Sequence, residues 1–170
     1  MSAKRMYVSK SVEKPRVSRK VVVSAGDLFL ISQSNHRFTL GQVLAQWQSL
    51  KGVITVVLFG TELDSVIANP KYCLEIANRN FSEEEIAAVV STGDGAIRAG
   101  QWQKIETCPV TLPEHFLPEH PFRSKSIAGA EVLSAPLIEG FVEAYRGLSD
   151  WDSLLPGQPG YLKSLVFKAP

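Results

Sequence analysis

The 170-residue chain reads as an α+β fold that is mostly β: an antiparallel sheet that can curl toward a barrel, with two short helices packed on it. Three observations predict this. Residues 21 to 59 read as three short strands in succession, start signals near Ser82 and Ser134 announce two helices, and residues 100 to 105 return to strand alternation.

The first strand follows Ala25-Gly26 and runs Asp27-Leu28-Phe29-Leu30-Ile31. Gln33-Ser34-Asn35-His36 is a polar cluster suited to a hairpin turn, with His36 exposed. The second strand, Arg37 to Trp47, carries Phe38, Leu40, Val43 and Leu44 across Gly41-Gln42. The third, Val53 to Phe59, is uncharged and rich in β-branched residues, as a strand buried on both faces must be. Its pattern breaks at Thr61-Glu62-Leu63-Asp64, and again at Asn69-Pro70.

Phe81-Ser82-Glu83-Glu84-Glu85-Ile86 has the spacing of a capping box with a hydrophobic staple, so a helix is expected to about Val90. Glu83 and Glu84 sit where the helix dipole favours acids. Ser91-Thr92-Gly93-Asp94-Gly95 then ends it, and Trp102, Ile97 and Ile105 face apolar neighbours around the next strand. Pro109, Pro113, Pro118 and Pro121 exclude regular structure from 109 to 121. The second helix starts at Ser134-Ala135-Pro136, puts Leu137, Ile138, Phe141, Val142 and Tyr145 on one side and Glu139, Glu143 and Arg146 on the other, and stops at Gly147. The tail from Trp151 to Phe167 is broken by Pro156, Gly157, Pro159 and Gly160, and packs along the body with a short strand or turn at 162 to 167.

Residues 1 to 20 form a basic, disordered arm, and 21 to 170 a single globular domain whose core needs no disulfide or metal. The arm holds seven Lys or Arg against Glu13, a net +6, which leaves −5 on the rest of a chain of net +1. Cys73 and Cys108, the only cysteines, are not ligand-spaced and point to reduced thiols in a cytoplasmic protein. No apolar run approaches the roughly 20 residues of a membrane helix, and no apolar segment follows Lys4 and Arg5 as a secretory signal requires.

No catalytic, cofactor or metal set is expected. Cys108 and His115 lack any local nucleophile signature, although a hydrolase using Cys108 is the reading they would support. Glu114, His115, Glu119 and His120 have no metal-site spacing. Residues 91 to 96 lack the lysine and spacing of a phosphate loop. Core packing accounts for Trp47, Trp102 and Trp151. A binding protein without turnover suits this profile.

The order of the motifs resembles the immunity protein 26 family. Gly26-Asp27-Leu28-Phe29-Leu30-Ile31 followed by Phe38-Thr39-Leu40-Gly41-Gln42-Val43-Leu44 is similar to that family's opening strands. Gly100-Gln101-Trp102-Gln103-Lys104-Ile105 with Pro109-Val110 resembles its later Gly-x-Trp strand and following proline. The likeness covers about residues 20 to 125, and the basic arm and the portion after 130 depart from it. It implies a bacterial polymorphic-toxin immunity protein that binds and occludes a cognate toxin, stoichiometrically and without cofactor. The acidic body suits a basic partner, and Glu62, Asp64, Glu83, Glu84 and Asp94 are the acids expected to bind it. The alternative is a nucleic-acid-associated β-barrel module whose arm holds phosphates, with steeply salt-dependent binding that vanishes with the arm.

Overall fold

The computed structural model describes residues 21–64, 69–78, 85–112 and 131–167. Five strands form one antiparallel sheet: β1 (Asp27–Ser32), β2 (Phe38–Gln46), β3 (Val53–Leu63), β4 (Ile86–Gly93) and β5 (Gln103–Thr107), in the order β4-β3-β2-β1-β5. The sheet is open, with β4 and β5 at its edges. Among the described residues four helices accompany it: α1 (Pro70–Ala77), α2 (Gly95–Arg98), α3 (Ala135–Tyr145) and α4 (Tyr161–Ser164).

The strand period of two divides the sheet's side chains between two cores. Phe29, Ile31, Val43, Ile54, Val56 and Leu58 pack with Trp102 and with Ile138, Phe141 and Val142 of α3. Leu28, Leu30, Leu40, Leu44, Val57 and Phe59 pack on the opposite face with Cys73, Ile76 and Ala77 of α1. Both faces of the sheet are therefore covered, which is why Val53 to Phe59 contains no charge. Residues 53 to 59 are all buried.

Strands β1 and β2 and the body of β3 lie where the residue pattern puts them. The expected end of β3 and the expected helix after Phe81 are both corrected. The strand does not break at Thr61: β3 continues to Leu63, because Phe38 and Thr39 of β2 pair with Leu63 and Glu62, and Leu63 is fully buried. The helix expected to run to Val90 is instead strand β4 from Ile86, paired antiparallel with β3 from Phe59 to Val53 with a register shift between Leu58 and Phe59. Ile86, Val89 and Val90 are β-branched, and the available β3 edge outweighs a capping signal. Ser82, Glu83 and Glu84 lie outside the described residues.

Asn69-Pro70 is a helix start rather than a simple break. The Asn69 side chain accepts from the Tyr72 amide at 3.0 Å, and Pro70 occupies the first turn. Helix α3 matches its expected span, and Gly147 after it has the left-handed φ of 70°. The tail turns through α4, and the Phe167 amide bonds the Ala87 carbonyl at 2.8 Å, while Leu133 bonds Ser91 at 2.8 Å. These two contacts cover part of the β4 edge. Residues 109 to 112 are irregular, as Pro109 favours; the rest of that connection, and residues 1 to 20, lie outside the described residues.

Candidate functional site

The three motifs quoted above converge physically. Gly26 holds φ at 89°, donates to the Val43 carbonyl at 2.7 Å and accepts from the Cys108 amide at 3.0 Å. Asp27, 1% exposed, accepts from the Ser24 amide and the Thr107 hydroxyl and pairs with Lys104. Gly41 lies opposite Phe29, whose ring stacks on Trp102 at 5.3 Å. The indole N–H of Trp102 donates to Glu139 at 2.9 Å. These residues build the frame of the sheet.

Glu62 and Asp94 stand at opposite ends of β3. Asp94 follows Gly93, which pairs with Val53, nine positions from Glu62; at about 3.3 Å per residue that is roughly 30 Å. Asp94 is 7% exposed, and its carboxylate accepts from Arg98 at 2.6 Å while its amide bonds the Gly52 carbonyl. It closes the turn from β4 into α2. Glu62 is half-buried and Asp64 exposed at the other end, and Glu83 and Glu84 lie outside the described residues. One compact surface can include Glu62 and Asp64 or Asp94.

Glu62 belongs to a polar cluster formed where the β1–β2 turn meets the end of α3. Arg37 and Asn35 both donate to its carboxylate, Asn35 at 3.1 Å. Across the turn, the Ser34 amide and hydroxyl each donate to Glu143 at 2.7 Å, one to each oxygen. Gln33, 5% exposed, donates from its amide to Thr39 at 2.7 Å, and Thr39 stands opposite Glu62 in the ladder. Arg146, at the end of α3, lies over the Tyr145 ring at 5.3 Å and within electrostatic reach of Glu62. Burial raises the Glu62 pKa, but the hydrogen bonds from Arg37 and Asn35 and the charges of Arg37 and Arg146 outweigh it and hold the group below its ordinary 4.5. Burial lowers that of Arg146 against the opposing pull of Glu62.

A depressed folded value means that Glu62 contributes stability in full above its unfolded value and loses it as pH falls through the folded one. Glu62→Gln is expected to flatten that part of the acid limb below pH 4.5, by less than about 1 kcal/mol because Arg37 is well solvated. Urea midpoints at pH 7 and pH 3 for both proteins check this.

Sequence reading singled out Glu62 but not Arg37, Glu143 or Arg146. The signals were present, since 33 to 36 is a polar turn and Glu143 and Arg146 share the polar side of α3. Their meeting depends on a long-range contact. Cys108 is free, buried and hydrogen-bonded by Gln42, and burial, then the charge of Glu106, raises its thiol against the pull of that bond; a thiolate nucleophile needs the reverse. His115 and the other Leu-Pro-Glu-His residues of 113 to 120 lie outside the described residues. Among the described residues no group of three His, Cys, Asp or Glu side chains could hold a metal, and no helix is long and apolar enough to cross a membrane. Comparison of the chain with family models, curated proteins and solved structures finds no significant match.

Proposed function

We propose that this chain is a bacterial immunity protein of the immunity protein 26 type. It binds a cognate toxin in the cytoplasm, one to one and without turnover, and blocks the toxin's active site. The support is the order of the Gly26-Asp27, Gly41-Gln42-Val43 and Gly100-Gln101-Trp102 motifs, whose residues lie on or beside adjacent strands and pack through Phe29 and Trp102. The toxin engages the end of the sheet that carries Glu62 and Asp64. Asp64 is exposed and Glu62 half-buried there, whereas Asp94 is buried and held by Arg98. Complementary charge speeds such an encounter and disfavours wrong partners.

Pull-down with the tagged full chain from the source lysate, with nuclease present, is the test. One stoichiometric protein is expected, toxic when expressed alone and relieved by co-expression of this chain. Recovery of proteins whose expression is harmless, or of nucleic acid alone when nuclease is omitted, would overturn the reading. With the toxin in hand, Glu62→Lys with Asp64→Lys is expected to weaken binding by more than about 2 kcal/mol while Asp94→Asn changes it little, as calorimetry would read. Equal effects from both ends would move the contact away from Glu62.

A further inference from the structure

The cluster between the β1–β2 turn and α3 has its charges distributed unevenly. Glu143 has Ser34 on both of its oxygens, and Glu62 has Arg37 and Asn35. Arg146 has neither acid. Its Nε and Nη2 atoms are buried without a hydrogen-bond partner, as is Oε1 of Gln33. Those two nitrogens carry the parallel N–H pair that grips a carboxylate side-on, and leaving such donors buried and unmade is costly. The anion nearest in effect is Glu62, whose charge opposes the burial of the guanidinium.

We infer that the β1–β2 turn is a latch that offers the Glu62 carboxylate two seats: an outer one on Arg37 and Asn35, occupied here, and an inner one on the Arg146 fork. The outer seat rests on a cation whose side chain is 55% exposed, where solvent weakens an ion pair. The inner seat is drier, so attraction is stronger there but Glu62 must shed more water. These terms oppose each other, so neither seat is favoured by charge alone. The two hydrogen bonds from Ser34 to Glu143 hold the outer seat in place, against His36, a non-glycine residue at φ 62°. The left-handed region disfavours such a residue, so the closed turn stores some strain. When the turn lets go of Glu143, Arg37 leaves with it and Glu62 moves inward. That withdraws an acid from the end of the sheet and frees a base. Insofar as the proposed toxin engages Glu62, the latch sets whether that face is competent to bind, and this last consequence alone rests on the proposed function.

Double-mutant cycles in urea unfolding, which need no partner, test the latch. Glu62→Gln and Arg146→Gln, singly and together, give the coupling of the pair as a ratio of unfolding equilibrium constants. With the turn intact the expected coupling is small, less than about threefold. In the Arg37→Gln background the outer seat is lost, and the coupling is expected to grow at least tenfold. Ser34→Ala, which removes one of the two bonds to Glu143, gives an intermediate increase. Where Arg146→Gln does not fold, Arg146→Lys keeps the charge and removes the fork, and its cycle reads the fork's share of the coupling, which is expected to grow in the same way. A coupling unchanged by Arg37→Gln, or already at its maximum in the intact protein, overturns the latch. Recovery of only harmless proteins in the pull-down, with this growth still seen, would count against the proposed function and leave the latch standing.

Discussion

Gly41→Ala is expected to lower the free energy of unfolding by about 3 kcal/mol. Gly41 is buried in the central strand β2, directly opposite Phe29 of β1. A Cβ there would lie 2.4 Å and 2.6 Å from two carbon atoms of the Phe29 ring, far inside van der Waals contact. The ring has little room to retreat, because its other face stacks on Trp102 with the planes only 11° apart, and the indole is tied to Glu139 of α3. The backbone is equally constrained, with β1 on one side of β2 and β3 on the other. The discriminating measurement is a cycle with Phe29→Leu, read by urea unfolding. Phe29→Leu alone creates space and costs about 1–2 kcal/mol. In the Gly41→Ala background the same space relieves the clash, so the double variant is expected to lose less than the two single losses added together. Strict additivity would place the cost of Gly41→Ala somewhere other than the ring.

That position also shows what kind of information the residue order carries. Gly41 and Gly26 stand out as motif residues because each occurs where a side chain would collide, with the Phe29 ring in one case and the Cys108 carbonyl in the other. Strands β1, β2 and β3 were legible because their signals are local: a polar turn at 33 to 36, alternation in β2 and an uncharged run in β3. Strand β4 was not, since its residues 86 to 90 follow a good capping pattern and their strand state depends on pairing with β3, which no local window contains. Helix α1 was overlooked for the opposite reason. Its start signal, Asn69-Pro70, is equally a turn signal, and eight residues leave little periodicity to separate the two. At the candidate site, Glu62 was legible as an acid following a core strand, but the arrangement around it was not. Arg37 and Glu62 meet through the β2–β3 register, and Ser34 and Glu143 through the docking of α3 on the sheet. Asp94 looked like a free acid in a glycine turn, and its partner Arg98 becomes a neighbour only because residues 95 to 98 form a helical turn.

Asp27→Ala is expected to cost about 3–4 kcal/mol, because it removes the one group on which the start of β1, the end of β5 and the segment before them all depend. The carboxylate is 1% exposed. Its two oxygens accept from the Ser24 amide at 2.8 Å and the Thr107 hydroxyl at 2.7 Å, and Lys104 stands 2.7 Å away while also donating to the Val22 carbonyl at 3.1 Å. Alanine takes the acceptor from the Ser24 amide and the Thr107 hydroxyl, leaves Lys104 with the Val22 carbonyl alone, and empties the buried space that the carboxylate filled. Asp27→Asn keeps the shape and one acceptor oxygen but loses the charge that Lys104 neutralises, so about half of the loss is expected. Lys104→Met separates the ion pair from the hydrogen bonds. If the pair matters, the Asp27→Ala, Lys104→Met double variant loses less than the sum of its parts, because the second substitution removes a cation that the first has already stranded. If the hydrogen bonds to Ser24 and Thr107 carry the effect, the two losses add, and Asp27→Asn, which keeps an acceptor oxygen, is clearly milder than Asp27→Ala. Either result separates the charge of Asp27 from its geometry, and with it the reason an aspartate follows Gly26 at the mouth of the first strand.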